Sequence, residues 1–136
     1  EITVALESAG ITPEKDVTAL SGFAMPFGFK HPDVRTIRNI EYGESLPGDS
    51  GGRNLLDLVL PREAKTSDRR PVLLQVHGGG WTMGDKREQA KPLMTHLASR
   101  GWICVAINYR LSPQATMPAQ VIDGKRPIGW IRNNFE

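Results

Sequence analysis

The residues best suited to do chemistry are the five from His77 to Trp81, which read His-Gly-Gly-Gly-Trp. They follow directly on the apolar run Val72 to Val76, which is typical of a buried strand. Consecutive glycines leave a turn without Cβ atoms, so backbone N–H groups can approach a ligand oxygen closely and stay unpaired until it arrives. The pattern therefore predicts a loop that stabilises a negatively charged oxygen, as in the oxyanion hole of an acyl-transfer reaction.

A second motif, Asn108 to Pro113, follows the next apolar run, Ile103 to Ile107. Both runs are nearly continuously apolar, as expected for strands buried on both faces of a parallel sheet. Between them we expect a helix from about Glu88 to Arg100, with Pro92 near its start and Gly101 just beyond its end. The order of strand, helix and strand predicts a βαβ unit.

Upstream of this unit, Val34 to Tyr42 and Leu55 to Leu60 are expected to form strands joined by the turn-rich segment Pro47 to Gly52. The predicted fold class is α/β: a mostly parallel sheet with flanking helices and antiparallel strands at its start. Residues 1–33 give mixed signals and are interpreted as a separate N-terminal segment, a cap or a helical extension. Residues 34–136 are expected to carry the sheet.

A last helix is expected after Pro118. The apolar residues that recur there at helical spacing are Val121, Ile128, Ile131 and Phe135. Gly124 and Pro127 interrupt the pattern, and in a helix interior they would cost about 1 and 3 kcal/mol relative to alanine. We therefore expect this helix to start near Asp123 as its N-cap, or to be kinked.

Composition excludes several classes of function. The chain has 136 residues, of which 17 are basic and 15 acidic, and the charges are mixed along it, which argues against a nucleic-acid partner. No stretch reaches the roughly 20 apolar residues of a membrane span. The single cysteine, Cys104, lies in an apolar run and is expected to be buried, and separated histidines supply no metal-ligand cluster.

At its two motifs the chain resembles α/β-hydrolase fold enzymes of the hormone-sensitive-lipase-like carboxylesterase and lipase family. The resemblance is strongest from about Asn54 to Glu136 and weak before Val34, so it covers only the N-terminal part of that fold. The matching residues are His77 to Trp81, Gly84 to Lys86, Asn108 to Pro113, Pro118, Asp123 and Trp130.

The resemblance implies a serine hydrolase that acts on small acyl esters without a cofactor. Gly78 and Gly79 match the positions whose N–H groups hold the oxyanion, while His77 and Gly80 would shape the loop. Trp81 is expected to line the acyl or alcohol pocket.

The resemblance also implies scaffold positions beside the site. Tyr109, Arg110 and Asp123 would tie the end of the second buried strand to the following helix, and an ion pair between Arg110 and Asp123 is left open. Asp85 and Lys86 lie next to the glycines, where a charged pair is expected to be solvated.

The serine nucleophile that the resemblance requires has no counterpart in the sequence. Downstream of the glycines the serines are Ser99 and Ser112, and neither follows a strand in a glycine-flanked turn. Gly48 to Gly52 matches the G-x-S-x-G pattern, but Pro47 precedes it and a strand follows, so Ser50 is expected to be a turn residue. We therefore expect an N-terminal part of a hydrolase that is inactive alone, and a second chain is one way to supply the remainder.

Two other functions remain open. One is a non-catalytic, receptor-like ligand-binding protein of the same fold. The other is an NADP-binding domain, because the glycines follow a strand and Arg110 ends the next one, where a 2′-phosphate could bind. Against the nucleotide, Trp81 puts a large ring where a pyrophosphate needs close backbone approach, and Asp85 would repel the phosphates.

Overall fold

The computed structural model describes residues 31–65 and 67–135. Apart from residues 31–33, the predicted N-terminal segment lies outside these residues. The described part contains a sheet whose strands lie in the order β1-β2-β4-β3, with two flanking helices. The elements are β1 (Val34–Glu41), β2 (Leu55–Pro61), β3 (Val72–Val76), α1 (Lys91–Ser99), β4 (Ile103–Ile107) and α2 (Ala119–Phe135).

The pairing of the strands decides which loops meet. β1 pairs with β2 and β2 with β4 in antiparallel fashion, while β3 and β4 are parallel, so the described sheet is mixed. The α/β class and the antiparallel start are thereby confirmed. Val76 stands opposite Ile107 in the parallel pair, so His77 and Asn108 leave the sheet side by side at its carboxyl edge.

β4 contributes to a hydrophobic core on each face of the sheet. Ile103, Val105 and Ile107 belong to the core that α2 covers, whereas Cys104 and Ala106 belong to the core that α1 covers. All five residues are buried, which explains why the strand is continuously apolar. Burial also raises the pKa of the Cys104 thiol to about 11.

α1 is shorter than the sequence predicts. It begins at Lys91 rather than near Glu88, because Ala90 has a left-handed φ of 58° and cannot continue a helix. Pro92 lies in the first turn, where its missing N–H needs no partner. Gly101, with φ of 96°, follows the helix end as predicted.

The last helix follows Pro118 as predicted, but of the two alternatives for its interruption the start near Asp123 is wrong, while the kink stays a prediction. The helix begins at Ala119 and runs through Gly124 and Pro127 to Phe135. Asp123 is therefore an interior residue of the helix, not its cap. Because Pro127 has no N–H, the carbonyl of Asp123 lacks its helical donor, yet tertiary packing outweighs the low helix propensity of these residues.

The predicted apolar stripe of α2 is only partly buried. Ile131 and Phe135 pack against the core, but Val121 and Ile128 are each 42% exposed. A buried polar residue sets the rotation of the helix instead, because Asp123 is only 1% exposed. The buried residues of α2 are Gln120, Asp123 and Pro127.

Candidate active site

The glycine loop, defined here as residues 77–84, leaves the carboxyl end of β3 next to the residues that follow β4. His77 at its start is only 2% exposed, whereas Trp81 is 50% exposed. Gly79, Gly80 and Trp81 have φ angles of 124°, 59° and 62°. These positive φ angles reverse the chain direction within the loop, and glycine is the residue that adopts them without strain.

Successive peptide groups of the loop are held by their carbonyl oxygens. The oxygen of His77 accepts the hydroxyl of Tyr109 at 2.9 Å, and the oxygen of Gly78 accepts Nδ1–H of His77 at 2.8 Å. The oxygen of Gly79 accepts two N–H groups of the following turn at 3.1 and 3.2 Å. Because C=O and N–H point in opposite directions in a planar trans peptide, each fixed oxygen also fixes the direction of the next N–H.

The N–H groups of the loop glycines differ in whether they are occupied. Gly78 donates to Oε1 of Gln89 at 2.9 Å. No acceptor within residues 31–65 and 67–135 binds the N–H of Gly79 or Gly80. The open pair is therefore Gly79 and Gly80, whereas the predicted role of Gly78 as a donor stays a prediction that requires Gln89 to move.

The glycines are needed for different steric reasons. A Cβ on Gly79 would overlap with the backbone oxygen of Met83, and a Cβ on Gly84 would overlap with Nδ1 of His77 and lie 2.5 Å from the oxygen of Gly78. A Cβ on Gly80 would meet nothing within 4 Å among the described atoms. Close packing therefore excludes a side chain at Gly79 and Gly84. At Gly80 only the positive φ disfavours one.

The ring of His77 is held in place by Tyr109. The two rings stack with their centroids 4.4 Å apart and an angle of 17° between their planes. Since the oxygen of Gly78 can only accept, Nδ1 must carry the proton, which leaves Nε2 as an acceptor if the ring is neutral. Nε2 is buried and has no hydrogen-bond partner in the described part of the chain. The loop-shaping role of His77 stays a prediction, and the bond from its Nδ1 to the oxygen of Gly78 is the contact through which it would act.

Asn108, the residue after β4, binds the two residues that directly follow the glycine loop. Its Oδ1 accepts the N–H of Lys86 at 2.8 Å, and its Nδ2 donates to Gly52 O and to Asp85 Oδ2 at 3.2 and 3.0 Å. Burial acts to raise the pKa of Asp85, but hydrogen bonds from Asn108 and Arg87 and the nearby cations lower it below its ordinary value. The carboxylate is thus held in its charged form.

Lys86 is buried, so the expectation of a solvated pair is wrong for this residue. Its Nζ lies 3.3 Å from Oδ1 of Asp57 and 3.1 Å from Oδ1 of Asn39, and its side chain is 2% exposed. Nε of Arg87 binds the other oxygen of Asp57 at 3.2 Å. The acceptors lie on β1 and β2, far away in sequence, so no local pattern could have identified them.

The ion pair between Arg110 and Asp123 that the sequence left open is present. Nε and Nη2 of Arg110 each lie 2.8 Å from a different oxygen of Asp123, and the backbone N–H of Arg110 adds a bond of 2.9 Å. The hydrogen bonds to Asp123 raise the pKa of Arg110. Nη1 reaches the oxygen of Pro47 at 2.9 Å, so Arg110 joins β4, α2 and the turn before β2.

Within the described part of the chain, the hydroxyl groups of the serines dismissed as nucleophiles make no hydrogen bond with the glycines of the loop. Ser50 is exposed in the turn before β2, and the hydroxyl of Ser112 donates to Ala115 O at 3.1 Å. The carbonyl of Trp81 accepts the N–H of Ser112 at 2.8 Å, which fixes the backbone of Trp81, while the pocket role of the Trp81 ring stays a prediction.

Across the described ranges, no cluster of three or more His, Cys, Asp or Glu residues could hold a metal, and neither helix could cross a membrane.

Residues 56–136, which contain the glycine loop, match the model of the BD-FAE family. The probable carboxylic ester hydrolase LipM of Mycobacterium tuberculosis is 40% identical over 140 residues, covering 97% of this chain and 32% of that protein. Esterase LipQ of the same organism is 50% identical over 91 residues, covering 66% and 22%. Esterase B from Lactobacillus Rhamnosis superposes with a TM-score of 0.65 and 26% identity, covering 86% of this chain and 36% of its own. The chain thus spans about a third or less of the length of these relatives.

Proposed function

The chain belongs to the BD-FAE family of esterases with the α/β-hydrolase fold, and from this premise we propose that it supplies the oxyanion hole of a serine carboxylic-ester hydrolase. The observation that carries the proposal is the pair of open N–H groups at Gly79 and Gly80. Their directions are set by carbonyl oxygens that are already bonded, so they need no rearrangement when a substrate arrives.

The chemistry of ester hydrolysis uses such a pair. When a serine hydroxyl attacks an ester carbonyl, negative charge develops on the carbonyl oxygen, and fixed donors stabilise it more than they stabilise the neutral ester. Each donor is worth roughly 2.7 to 4 kcal/mol of transition-state stabilisation. In the proposal Trp81, half-exposed next to these donors, lines the pocket for the acyl or alcohol group of a small ester.

A nucleotide is a poorer fit to the same loop. Binding of a pyrophosphate at a helix start needs the glycines to lead directly into the helix. Here α1 begins only at Lys91, after the chain has passed through a series of turns. The N-terminal N–H groups of α1 are therefore separated from the glycines by several residues of turn.

We infer that the part of the hydrolase with the nucleophile pairs along β3. Among the described strands β3 has a partner on one side only, and Val76 at its carboxyl end is 51% exposed. An unpaired strand edge of this kind accepts another strand readily. A further segment, on the same polypeptide or on a second chain, would place a serine elbow at the carboxyl edge beside the glycine loop.

A fluorophosphonate probe tests the proposal, because it forms adducts with activated serines. The native preparation is labelled, and the intact mass of every polypeptide in it is measured. We expect no adduct on the 136-residue chain alone and one adduct on a longer or partner polypeptide that hydrolyses p-nitrophenyl butyrate. An adduct mapped to Ser50 would overturn the proposal, as would a preparation that binds ester analogues without forming any adduct.

A further inference from the structure

We propose that Gln89 is a positioning residue of the glycine loop: its carboxamide oxygen holds the N–H of Gly78, so the loop presents the N–H groups of Gly79 and Gly80 to the substrate. The consequence for catalysis rests on the function proposed above. The contact itself is independent of that function and can be tested separately.

The side chain of Gln89 lies directly over Gly78. Oε1 is 2.9 Å from the backbone nitrogen. If Gly78 carried a Cβ, its nearest neighbours would be Oε1 and Nε2 of Gln89, both at 3.4 Å, and then Cδ at 3.9 Å. Gly78 is not among the glycines with positive φ. It therefore differs from Gly79 and Gly80, because its backbone angle is an ordinary one and a Cβ at this position would make only ordinary van der Waals contact with the carboxamide of Gln89.

The bond to Gln89 completes the fixing of the first peptide group of the loop. The oxygen of His77 is already held by the Tyr109 hydroxyl at 2.9 Å, and Gln89 holds the N–H at the other end of the same group. Without this acceptor, the N–H of Gly78 becomes a third open donor beside Gly79 and Gly80. The peptide group could then rotate about its remaining bond, from the Tyr109 hydroxyl to the His77 oxygen, and such a rotation would turn the N–H groups that follow it.

The backbone on both sides of Gln89 is ordered, which lowers the entropy cost of holding its side chain over the loop. Before it, the N–H of Glu88 donates to the oxygen of Asp85 at 3.1 Å. After it, Ala90 adopts φ of 58° and ψ of 8° and accepts the N–H of Met94 at 2.8 Å, starting α1 without a side-chain cap. Gln89 thus lies just before the N-cap of α1. Its side chain binds the glycine loop and does not cap the helix.

Amide hydrogen exchange at Gly78 in the native preparation tests the contact. Gln89→Met keeps the length of the side chain but removes the acceptor, and we expect the Gly78 amide to exchange about three- to tenfold faster. Gln89→Glu restores an acceptor and should restore the protection. Gln114→Met is the matched control, since Gln114 is also exposed and makes no side-chain hydrogen bond within the described residues. Unchanged exchange in Gln89→Met, or equal acceleration in the control, would overturn the contact.

Kinetics with p-nitrophenyl butyrate test the positioning role. Gln89→Met should lower kcat by about 10- to 100-fold with little change in KM, because the donors act on the transition state and a small misplacement is costly. Loss of protection at Gly78 with wild-type kcat would refute the positioning role and leave the proposed function standing. Conversely, loss of protection in a protein whose wild type hydrolyses no ester would refute the proposed function and leave the contact intact.

Discussion

If the chain supplies the oxyanion hole as proposed, replacing Gly79 by alanine should abolish most of the catalytic power, whereas the same replacement at Gly80 should be far milder. The two glycines are neighbours, both have positive φ, and neither N–H has an acceptor in the described part of the chain. They differ in the space around them. A methyl group on Gly79 would overlap with the oxygen of Met83, which belongs to the turn that anchors the loop, while one on Gly80 meets nothing within 4 Å among the described atoms.

The magnitude follows from these surroundings. In Gly79→Ala the peptide group must rotate or the turn must open, and either change redirects at least one donor, at a cost of about 2.7 to 4 kcal/mol or roughly 100- to 1,000-fold in kcat. In Gly80→Ala the donor keeps its direction. The left-handed backbone costs about 1 to 2 kcal/mol of folding free energy, but the change in kcat should stay below about tenfold.

The assay compares kcat for p-nitrophenyl butyrate and the rate of fluorophosphonate labelling in the native preparation of both variants. A urea midpoint for each variant establishes that the fold is retained, so that a loss of rate can be attributed to the donor. The reasoning is refuted if Gly79→Ala keeps its kcat, or if both variants lose the same factor.

Three further predictions concern the scaffold and its titration. Asp123→Asn should lower the free energy of unfolding by about 3 to 5 kcal/mol, because Arg110 keeps its charge in a buried site without a carboxylate. A urea titration measures this loss, and a change below about 1 kcal/mol would contradict the prediction. The pKa of Asp85 is lowered in the fold, so its stabilisation is present above the unfolded pKa of about 3.9 and is lost as pH falls through the lower folded pKa. Urea midpoints of Asp85→Asn should therefore decline less steeply in acid than those of the wild type, and parallel curves would argue against it. Cys104, buried and with its pKa raised to about 11, should react with iodoacetamide only after unfolding, so modification of the native protein at neutral pH would show that this core opens.

Elements whose residues follow a regular apolar pattern could be predicted from the sequence. An element positioned by a contact with a distant residue could not. β3 and β4 were both predicted correctly as strands. Burial on both faces explains the uninterrupted apolar run of β4, whereas in the described structure no residue of β3 is fully buried. The start of α2 was not, because Asp123 resembles an N-cap when only its neighbours are considered. Its actual partner, Arg110, lies beyond the end of β4, and two buried charges that pair can turn a helix away from its own apolar stripe.

The candidate site shows the same division. The absence of Cβ atoms from residue 78 to residue 80 is a property of the sequence, and it predicted an anion-stabilising loop after a strand. Which N–H groups are open is a property of hydrogen bonds to residues elsewhere in the chain. Gln89 occupies the first N–H, and the ring of His77, stacked on Tyr109, directs the second. Nothing in the local pattern around Gln89 marks it as a partner of the loop.

By itself, then, the sequence determined the chemical type of this chain: an α/β framework with a glycine turn at the end of an apolar strand. Composition and spacing suffice for this, because an apolar run and the conformational freedom of glycine are local properties of the sequence. Only the tertiary structure decided that Gly79 and Gly80 are the open donors and that Lys86 is buried against Asp57. Directions of peptide groups and pairings of buried charges depend on atoms that the fold brings together from distant parts of the chain.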